Sequence, residues 1–259
     1  KHTGSKTARM IVLDKVSFRY HGKSETSFSL KEVSFSCSKG PITGIIGRNG
    51  SGKSTVARLI AGLICPDSGA IEVDGFAPFN HTGNCRFLAG IIFQNPDNQI
   101  VGTTVAEDIA FGLENLAVSN AEMHSRIRDV AGRFGLESLL SAPVNNLSGG
   151  QKQLLCIAAV LAMEPSWLIF DEPTSHLDPW SRIIFWQQLK SFARDHGIGV
   201  IVVSQLPEDL AQFDQILAFD QGQLAFQGSR EELKSSCDSL PWFTRPESWV
   251  FEKLSGAKP

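Results

Sequence analysis

Residues 47–54 have the sequence Gly-Arg-Asn-Gly-Ser-Gly-Lys-Ser, which satisfies the pattern G-x-x-x-x-G-K-[ST]. The apolar run 42–46 before it predicts a buried strand, and the helical spacing over 54–63 predicts a helix after it. Glycines in such a loop let successive N–H groups point at one phosphate, and the helix N-terminus adds its positive end. We therefore predict a phosphate-binding loop in which Lys53 bridges the β- and γ-phosphates of a nucleotide and Ser54 ligates Mg²⁺.

The composition excludes several classes of protein. The 24 Lys and Arg residues against 27 Asp and Glu leave a net charge of −3, which offers no basic field to a nucleic acid. Hydrophobic residues make up 42% of the 259 residues, as expected for a packed protein rather than a disordered one. No apolar run approaches the roughly 18 residues of a membrane-spanning helix. The five cysteines form no C-x-x-C pair, so we expect reduced thiols that mostly fill the core.

The chain divides into three parts by pattern. Residues 1–9 are polar and basic, and we expect them to be residues added during cloning or a disordered segment. Residues 10–236 carry all the periodic segments and are predicted to form the folded domain. Residues 237–259 form a tail whose aromatic residues, from Trp242 to Phe251, are expected to pack on the core or on a partner.

Within the domain, the periodicity predicts an α/β fold. Alternating apolar residues over 16–20 and 28–35 predict an N-terminal antiparallel sheet, and residues 70–73 and 88–93 predict two further strands. Residues 95–163 are mostly helical in pattern, with a capping box of Ser119 and Glu122 and an N-cap at Ser148. Strand 167–171, helix 179–194 and strand 199–203 alternate as in a parallel sheet, and a last strand pair turns at 220–222.

A second acidic motif follows the predicted strand 167–171. Asp171 and Glu172 are adjacent carboxylates at the end of a buried strand, and adjacent strand residues point to opposite faces. We therefore predict that Asp171 holds the metal, usually through water, and that Glu172 polarises the attacking water.

The pentapeptide Leu-Ser-Gly-Gly-Gln at 147–151, together with these two motifs, resembles the ATP-binding-cassette ATPases over residues 11–228. The resemblance implies the P-loop NTPase fold of that family, with a RecA-like core, an N-terminal antiparallel β subdomain and a helical subdomain inserted at about 95–163. It also implies a second ATPase subunit, because Ser148 and the following glycines would dock on the γ-phosphate held by that partner. The residues expected to contact ATP are Tyr20, Asn49, Gly50, Ser51, Gly52, Lys53, Ser54, Thr55, Ser148, Gly149, Gly150, Gln151 and Asp178.

The remaining family positions can be assigned one at a time. Tyr20 ends an early strand where the family places an adenine-stacking aromatic, although a simple strand-end aromatic fits too. Gln94 matches the loop glutamine that reaches the metal and the attacking water, so the implied metal set is Ser54, Gln94 and Asp171. Asp178 would communicate across the dimer or merely cap the next helix, and His176 beside it occupies a variable position.

The family usually has a Thr-His pair after strand 199–203, whereas this chain has Ser204 and Gln205. Glutamine can donate a hydrogen bond but cannot change protonation near neutral pH, so we expect slow hydrolysis with Glu172, Gln94 and Gln205 as the catalytic set. The glutamine fits a natural weak site in an asymmetric dimer, a deliberate substitution that traps ATP, or a functional variant.

The segments Phe-Gln-Asn-Pro-Asp-Asn-Gln-Ile-Val at 93–101 and Thr-Val-Ala-Glu-Asp-Ile-Ala-Phe-Gly at 104–112 resemble the energy-coupling-factor and cobalt-type subgroup. That resemblance implies a peripheral protein at the cytoplasmic face of the cell membrane. Its partners would be a membrane T component and an S component that captures a vitamin or a transition-metal ion. The ATPase of another transporter branch, and a catalytically weak cassette that acts as a nucleotide-dependent assembly module, are the alternatives.

Overall fold

The computed structural model describes residues 9–20, 28–79, 88–175, 177–236 and 240, and within these it has nine strands and six α-helices. The strands are β1 (Met10–Arg19), β2 (Ser29–Ser38), β3 (Ile42–Gly47), β4 (Ser68–Val73), β5 (Ala89–Ile92), β6 (Trp167–Asp171), β7 (Gly199–Ser204), β8 (Gln215–Asp220) and β9 (Gln223–Gly228). The helices are α1 (Lys53–Ile60), α2 (Val105–Asn115), α3 (Asn120–Arg133), α4 (Gly149–Ala162), α5 (Pro179–His196) and α6 (Arg230–Ser236). The predicted α/β class is confirmed.

The smaller sheet is antiparallel, with the strand order β2-β1-β4. Its central strand buries one set of alternate residues, and Ile11 pairs with Cys37 on one side and with Val73 on the other. A two-residue turn at Asp74 and Gly75, both with positive φ, follows β4. Strands β1 and β2 are the antiparallel pair that the period-2 pattern predicts, and β4 joins them on the other side of β1.

The larger sheet has the order β5-β6-β7-β3-β8-β9, and only its last strand pair is antiparallel. The register aligns Ile46 of β3 with Ser204 of β7, and Asp171 of β6 with Val203 of β7. The carboxyl ends of the three strands therefore meet at one edge of the sheet. Residues that follow these strands are brought together there, as is usual for ligand sites in parallel sheets.

Two cores flank the larger sheet and explain why its strands are apolar without alternation. Leu168 and Phe170 of β6 belong to the core that contains the buried faces of α2, α3, α4 and α5. Trp167 and Ile169 belong to the core shared with α1 and the smaller sheet. A strand covered on both faces buries every residue, as β3, β6 and β7 do.

Several local expectations need correction. Helix α1 ends at Ile60 rather than at residue 63, because Gly62 adopts a φ of 70° and closes the turn. The capping box of α3 is one-sided: Ser119 accepts the N–H of Glu122, but the Glu122 carboxylate accepts from Arg126 one turn later. Strand β5 ends at Ile92, one residue before the predicted end.

Three of the five cysteines lie within the described residues. Cys37 and Cys156 are buried, and burial raises the pKa of each thiol to about 12, as expected of inert core residues. Cys65 is exposed, which departs from the core-filling expectation for that residue. Cys85, Cys237, His176 and the aromatic tail lie outside the described residues. No helix in the described part of the chain is long and apolar enough to span a bilayer.

Candidate functional site

A cleft of about 280 Å³ opens at the carboxyl edge of the larger sheet, beside the loop that joins β3 to α1. Its lining residues are Tyr20, Phe28, Asn49, Gly50, Gly52, Lys53, Ser54, Thr55, Arg58 and Glu172. Eight of these were predicted from the sequence to bind ATP or to act on it. Phe28 and Arg58 were missed, although Arg58 follows Ser54 by four residues and so shares its helix face.

The loop takes its shape from three glycines with positive φ, at 150° for Gly47, 77° for Gly50 and 109° for Gly52. A Cβ atom on Gly47 would lie 2.3 Å from the carbonyl oxygen of Phe219, so no other residue fits there without movement. The loop closes through a hydrogen bond of 3.1 Å from the Ser51 N–H to the Arg48 carbonyl. The backbone is thus fixed around the mouth of the cleft.

Lys53 is buried beneath this loop. Its Nζ donates to the carbonyl oxygens of Gly47 at 2.9 Å and Arg48 at 3.1 Å. Burial lowers the pKa of Lys53, and the nearby carboxylates of Glu172 and Asp171 oppose that change. The ammonium therefore lies between the loop carbonyls and the acidic pair, where phosphate oxygens could replace the carbonyls as its acceptors.

The residues predicted to hold Mg²⁺ have the oxygen donors that this ion prefers. The Ser54 hydroxyl donates to Asp171 Oδ1 at 3.0 Å, which brings together two of the three predicted metal ligands. Burial raises the pKa of Asp171, while its hydrogen bond from Ser54 opposes the shift. The buried Ser51 Oγ has no hydrogen-bond partner among the described residues. This donor set fits an ion whose other ligands are water and substrate phosphates.

The sequence suggested that strand alternation would point Asp171 and Glu172 to opposite faces. In the structure, alternation does not set the direction of Glu172, because this residue lies outside the strand. Strand β6 ends at Asp171, and Glu172 adopts a left-handed backbone with a φ of 55°. Its N–H donates to the Val203 carbonyl at 2.9 Å, and its own carbonyl accepts from the Ser175 hydroxyl at 3.0 Å. The backbone conformation thus turns the Glu172 carboxylate into the cleft.

The three predicted catalytic side chains are linked by hydrogen bonds. Gln205 Nε2 donates to Glu172 Oε1. Gln94 Nε2 donates at 3.1 Å to the Ser175 hydroxyl, which in turn bonds to the Glu172 backbone. Sequence reasoning missed Ser175 as the link between Gln94 and Glu172.

Tyr20 provides an aromatic wall at the outer end of the cleft. Its ring packs edge-on against Phe18, with centroids 4.8 Å apart. Its hydroxyl accepts from Arg58 Nη1 at 3.2 Å and lies 3.5 Å from Thr55 Oγ1. The ring is therefore held in place while more than a third of its surface remains exposed, as a base-stacking residue requires.

The remaining predicted residues do not line the cleft. Ser148 caps α4 through a complete capping box, in which its Oγ accepts the Gln151 N–H at 3.3 Å and Gln151 Oε1 accepts the Ser148 N–H at 2.9 Å. Gly149 and Gly150 are exposed beside this cap. Asp178 caps α5 by accepting the N–H groups of the second and third residues of that helix.

Comparisons with known proteins agree with this geometry. The family model described as ABC transporter matches residues 30–175. An energy-coupling factor transporter ATP-binding protein, EcfA1 of Streptococcus thermophilus, is 41% identical over 89% of this chain and 84% of its own length. EcfA1 of Streptococcus pyogenes serotype M5 is 39% identical over 89% of this chain and 83% of its own length.

Two solved structures share the fold. One is cbiO1 of Clostridium perfringens, described as part of an ABC transporter complex, with a TM-score of 0.76 and 31% identity over 89% of this chain and 92% of that chain. The other, an ATP-binding subunit of an ABC transporter, has a TM-score of 0.74 at 23% identity, over 94% of this chain and 98% of that chain. The chain therefore belongs to the ABC transporter family, among the ATP-binding proteins of the energy-coupling-factor type.

Proposed function

We propose that this chain binds and hydrolyses ATP as a subunit of an energy-coupling-factor importer. The observation that supports this most directly is that Lys53, Ser54 and Glu172 line one cleft, with Asp171 hydrogen-bonded to Ser54, in a chain 41% identical to a transporter ATP-binding protein. A phosphate-binding loop alone would suit a kinase as well. The acidic pair, with Gln205 bonded to Glu172, suits an attack by water.

Each residue of the site has a separate part in the proposed reaction. Lys53 and the loop N–H groups bind the phosphates, and Tyr20 stacks against the base. Ser54 and Asp171 would hold Mg²⁺, which when bound neutralises charge that develops on the phosphates. Glu172 accepts the proton of the attacking water, and Gln205 orients the Glu172 carboxylate through its amide.

The exposed N-terminus of α4 supports pairing with a second ATPase subunit. Ser148, Gly149 and Gly150 present a capped helix N-terminus that does not line the cleft of its own chain. Such an end attracts an anion, and the γ-phosphate of an ATP held by the partner would supply one. Binding of two nucleotides between two cassettes would then close the dimer, whether the second copy is identical or different.

The surface beside Gln94 supports a membrane partner. Val101 and Phe111 expose 61% and 50% of their surfaces, and the Val101 backbone is bonded to Asp108 of the same helix as Phe111. Exposed apolar patches are typical of protein-protein contacts, and Val101 lies seven residues after Gln94 in the chain. We propose that a T component docks here, at the cytoplasmic face of the membrane, while an S component captures a vitamin or a transition-metal ion.

The decisive enzymatic test replaces Glu172 by glutamine. ATP binding should survive Glu172→Gln, because the loop and Lys53 remain, while turnover should fall by about a hundredfold or more. Glu164→Gln is a matched control, since Glu164 also has a left-handed backbone, with a φ of 54°, but lies outside the cleft. Unchanged phosphate release from the Glu172 variant would overturn the assigned role.

The partner assignment is tested by isolating the tagged chain from detergent-solubilised membranes and identifying its companions by mass spectrometry. We expect a second ATPase subunit, a T component and at least one S component. Recovery of permease domains from another transporter branch would contradict the importer assignment while leaving the ATPase intact.

A catalytically weak cassette is the second candidate, and one contact favours it. The Gln205 amide bonds to the Glu172 oxygen that would otherwise be open to water, and glutamine cannot pick up a proton near neutral pH. Phosphate release at saturating MgATP distinguishes the two functions, because an assembly module would bind ATP and release almost no phosphate.

A further inference from the structure

The carboxylate of Asp209 is buried beside the two catalytic loops, which follow β6 and β7 and carry Glu172 and Gln205. Asp209 is fully buried, with 0% of its surface exposed, in the short helical turn Pro207–Gln212 that follows β7. Its Oδ2 accepts from Thr174 Oγ1 and from Ser204 Oγ, each at 2.6 Å, and its Oδ1 accepts from Trp186 Nε1 at 3.1 Å. Three donors from three separate segments thus share one carboxylate.

Two of these donors adjoin the catalytic residues. Thr174 follows Glu172 by two positions, and Ser204 immediately precedes Gln205. The Ser204 hydroxyl also accepts the Leu206 N–H at 3.1 Å. The residues on both sides of Gln205 are therefore linked through this hydroxyl to Asp209. Trp186 anchors the carboxylate to α5 and to the core beneath.

We propose that Asp209 is a positioning residue that sets the distance between Glu172 and Gln205. The inference rests on the proposed function, since it assigns a role within the same hydrolytic site. The loops after β6 and β7 carry the two side chains that contact each other, and Asp209 is a common acceptor for both loops. Moving one loop by a fraction of an ångström would change the Glu172–Gln205 contact, and errors of about 1 Å in a site can cost a hundredfold in rate.

An amide cannot replace this carboxylate without loss. If the amide nitrogen of an Asp209→Asn variant faced Thr174 and Ser204, both hydroxyls would lose their acceptor, and Ser204 already accepts from Leu206. If the nitrogen faced Trp186 instead, two N–H groups would oppose each other. Either orientation leaves a buried donor unsatisfied.

The test compares Asp209→Asn with Asp74→Asn in the whole 259-residue chain. Asp74 also accepts a tryptophan Nε1–H at 3.1 Å, from Trp167, but at the opposite end of β6. We expect kcat of MgATP hydrolysis to fall at least tenfold in Asp209→Asn, with KM and the affinity for fluorescent MANT-ATP changed less than twofold. Asp74→Asn should lower the melting temperature without changing kcat.

Hydrogen–deuterium exchange gives a readout that does not depend on turnover. We expect faster exchange in residues 172–175 and 204–206 of Asp209→Asn, and no change there in Asp74→Asn. Ser204→Ala removes one bridge with little effect on packing, should lower kcat in the same direction, and should not add fully to Asp209→Asn.

Each outcome bears on the role of Asp209. A kcat within twofold of the parent with unchanged exchange in both loops would overturn the role, as would equal losses in kcat and MANT-ATP affinity. If Asp209→Asn does not fold, unchanged kcat and exchange in Ser204→Ala would overturn it. A parent chain that releases no phosphate contradicts the proposed hydrolysis instead, and the exchange comparison then decides the role of Asp209 by itself.

Discussion

Replacing Ser148 by alanine separates a structural role of this residue from its proposed contact with a partner's nucleotide. In the isolated chain, the Ser148 hydroxyl accepts one hydrogen bond, from the Gln151 N–H at 3.3 Å. Loss of such an N-cap costs about 1 kcal/mol. Ser119 offers a matched control, because it is also an exposed serine that caps a 14-residue helix through one bond, at 3.4 Å. Ser148→Ala and Ser119→Ala should therefore lower the unfolding free energy by similar amounts.

Their effects on nucleotide-driven association should differ. A hydrogen bond to a charged phosphate is worth about 1.5–3 kcal/mol, which corresponds to roughly a ten- to hundredfold change in an association constant. A symmetric sandwich would lose two such bonds in Ser148→Ala and none in Ser119→Ala. The total effect on dimerisation is then roughly a hundredfold or more, while the stability of each monomer changes equally in both variants.

Sedimentation velocity with saturating MgATP measures this difference. Both substitutions are placed in a Glu172→Gln background, so that ATP is retained while the association constant is determined. The chain is studied alone or with the second ATPase subunit that copurifies with it. Equal association constants for Ser148→Ala and Ser119→Ala would refute the proposed contact, because the helix cap would then account for everything that Ser148 does.

Three further predictions follow from particular contacts. Gln205→His should raise MgATP turnover by about a hundredfold and introduce a pH dependence near pH 6.5, since an imidazole beside Glu172 can titrate there; a flat pH profile with parental turnover would contradict it. Burial raises the pKa of Asp171, so ionisation of this carboxyl destabilises the folded state. As the pH falls through that raised pKa, the unfolding free energy of the parent should therefore increase relative to that of Asp171→Asn, as measured by urea unfolding. The Lys152–Asp97 ion pair, 2.6 Å long but partly exposed, should show a coupling energy below about 1 kcal/mol in a double-mutant cycle.

Most elements were predictable because their signals are local. Apolar periodicity located the strands and the helices, and the capping boxes at Ser148 and at Ser229 are both complete. The Ser119 box is incomplete because Arg126 competes for the Glu122 carboxylate, and a four-residue motif does not include that competitor. Local patterns thus predicted where helices begin better than which side chains complete the cap.

The site was predictable where a motif fixes the backbone, and less so where distant segments meet. The glycine-rich loop follows β3 and leads into α1, and Asp171 ends β6, as the sequence predicted. The left-handed backbone of Glu172 has no sequence signal, since glutamate rarely adopts it. Asp209 is 35 residues from Thr174, and only the folded chain shows that one carboxylate serves both catalytic loops.

At position 172, the residue that the proposed reaction needs is not the residue that the backbone conformation favours, because Glu172 has a positive φ. A left-handed glutamate costs about 1–2 kcal/mol relative to a residue that tolerates this conformation, and glycine tolerates it without strain. A library selected for heat resistance alone should therefore enrich Glu172→Gly and lose the general base. Engineering a more robust cassette from this chain requires a screen that keeps phosphate release under selection from the first round.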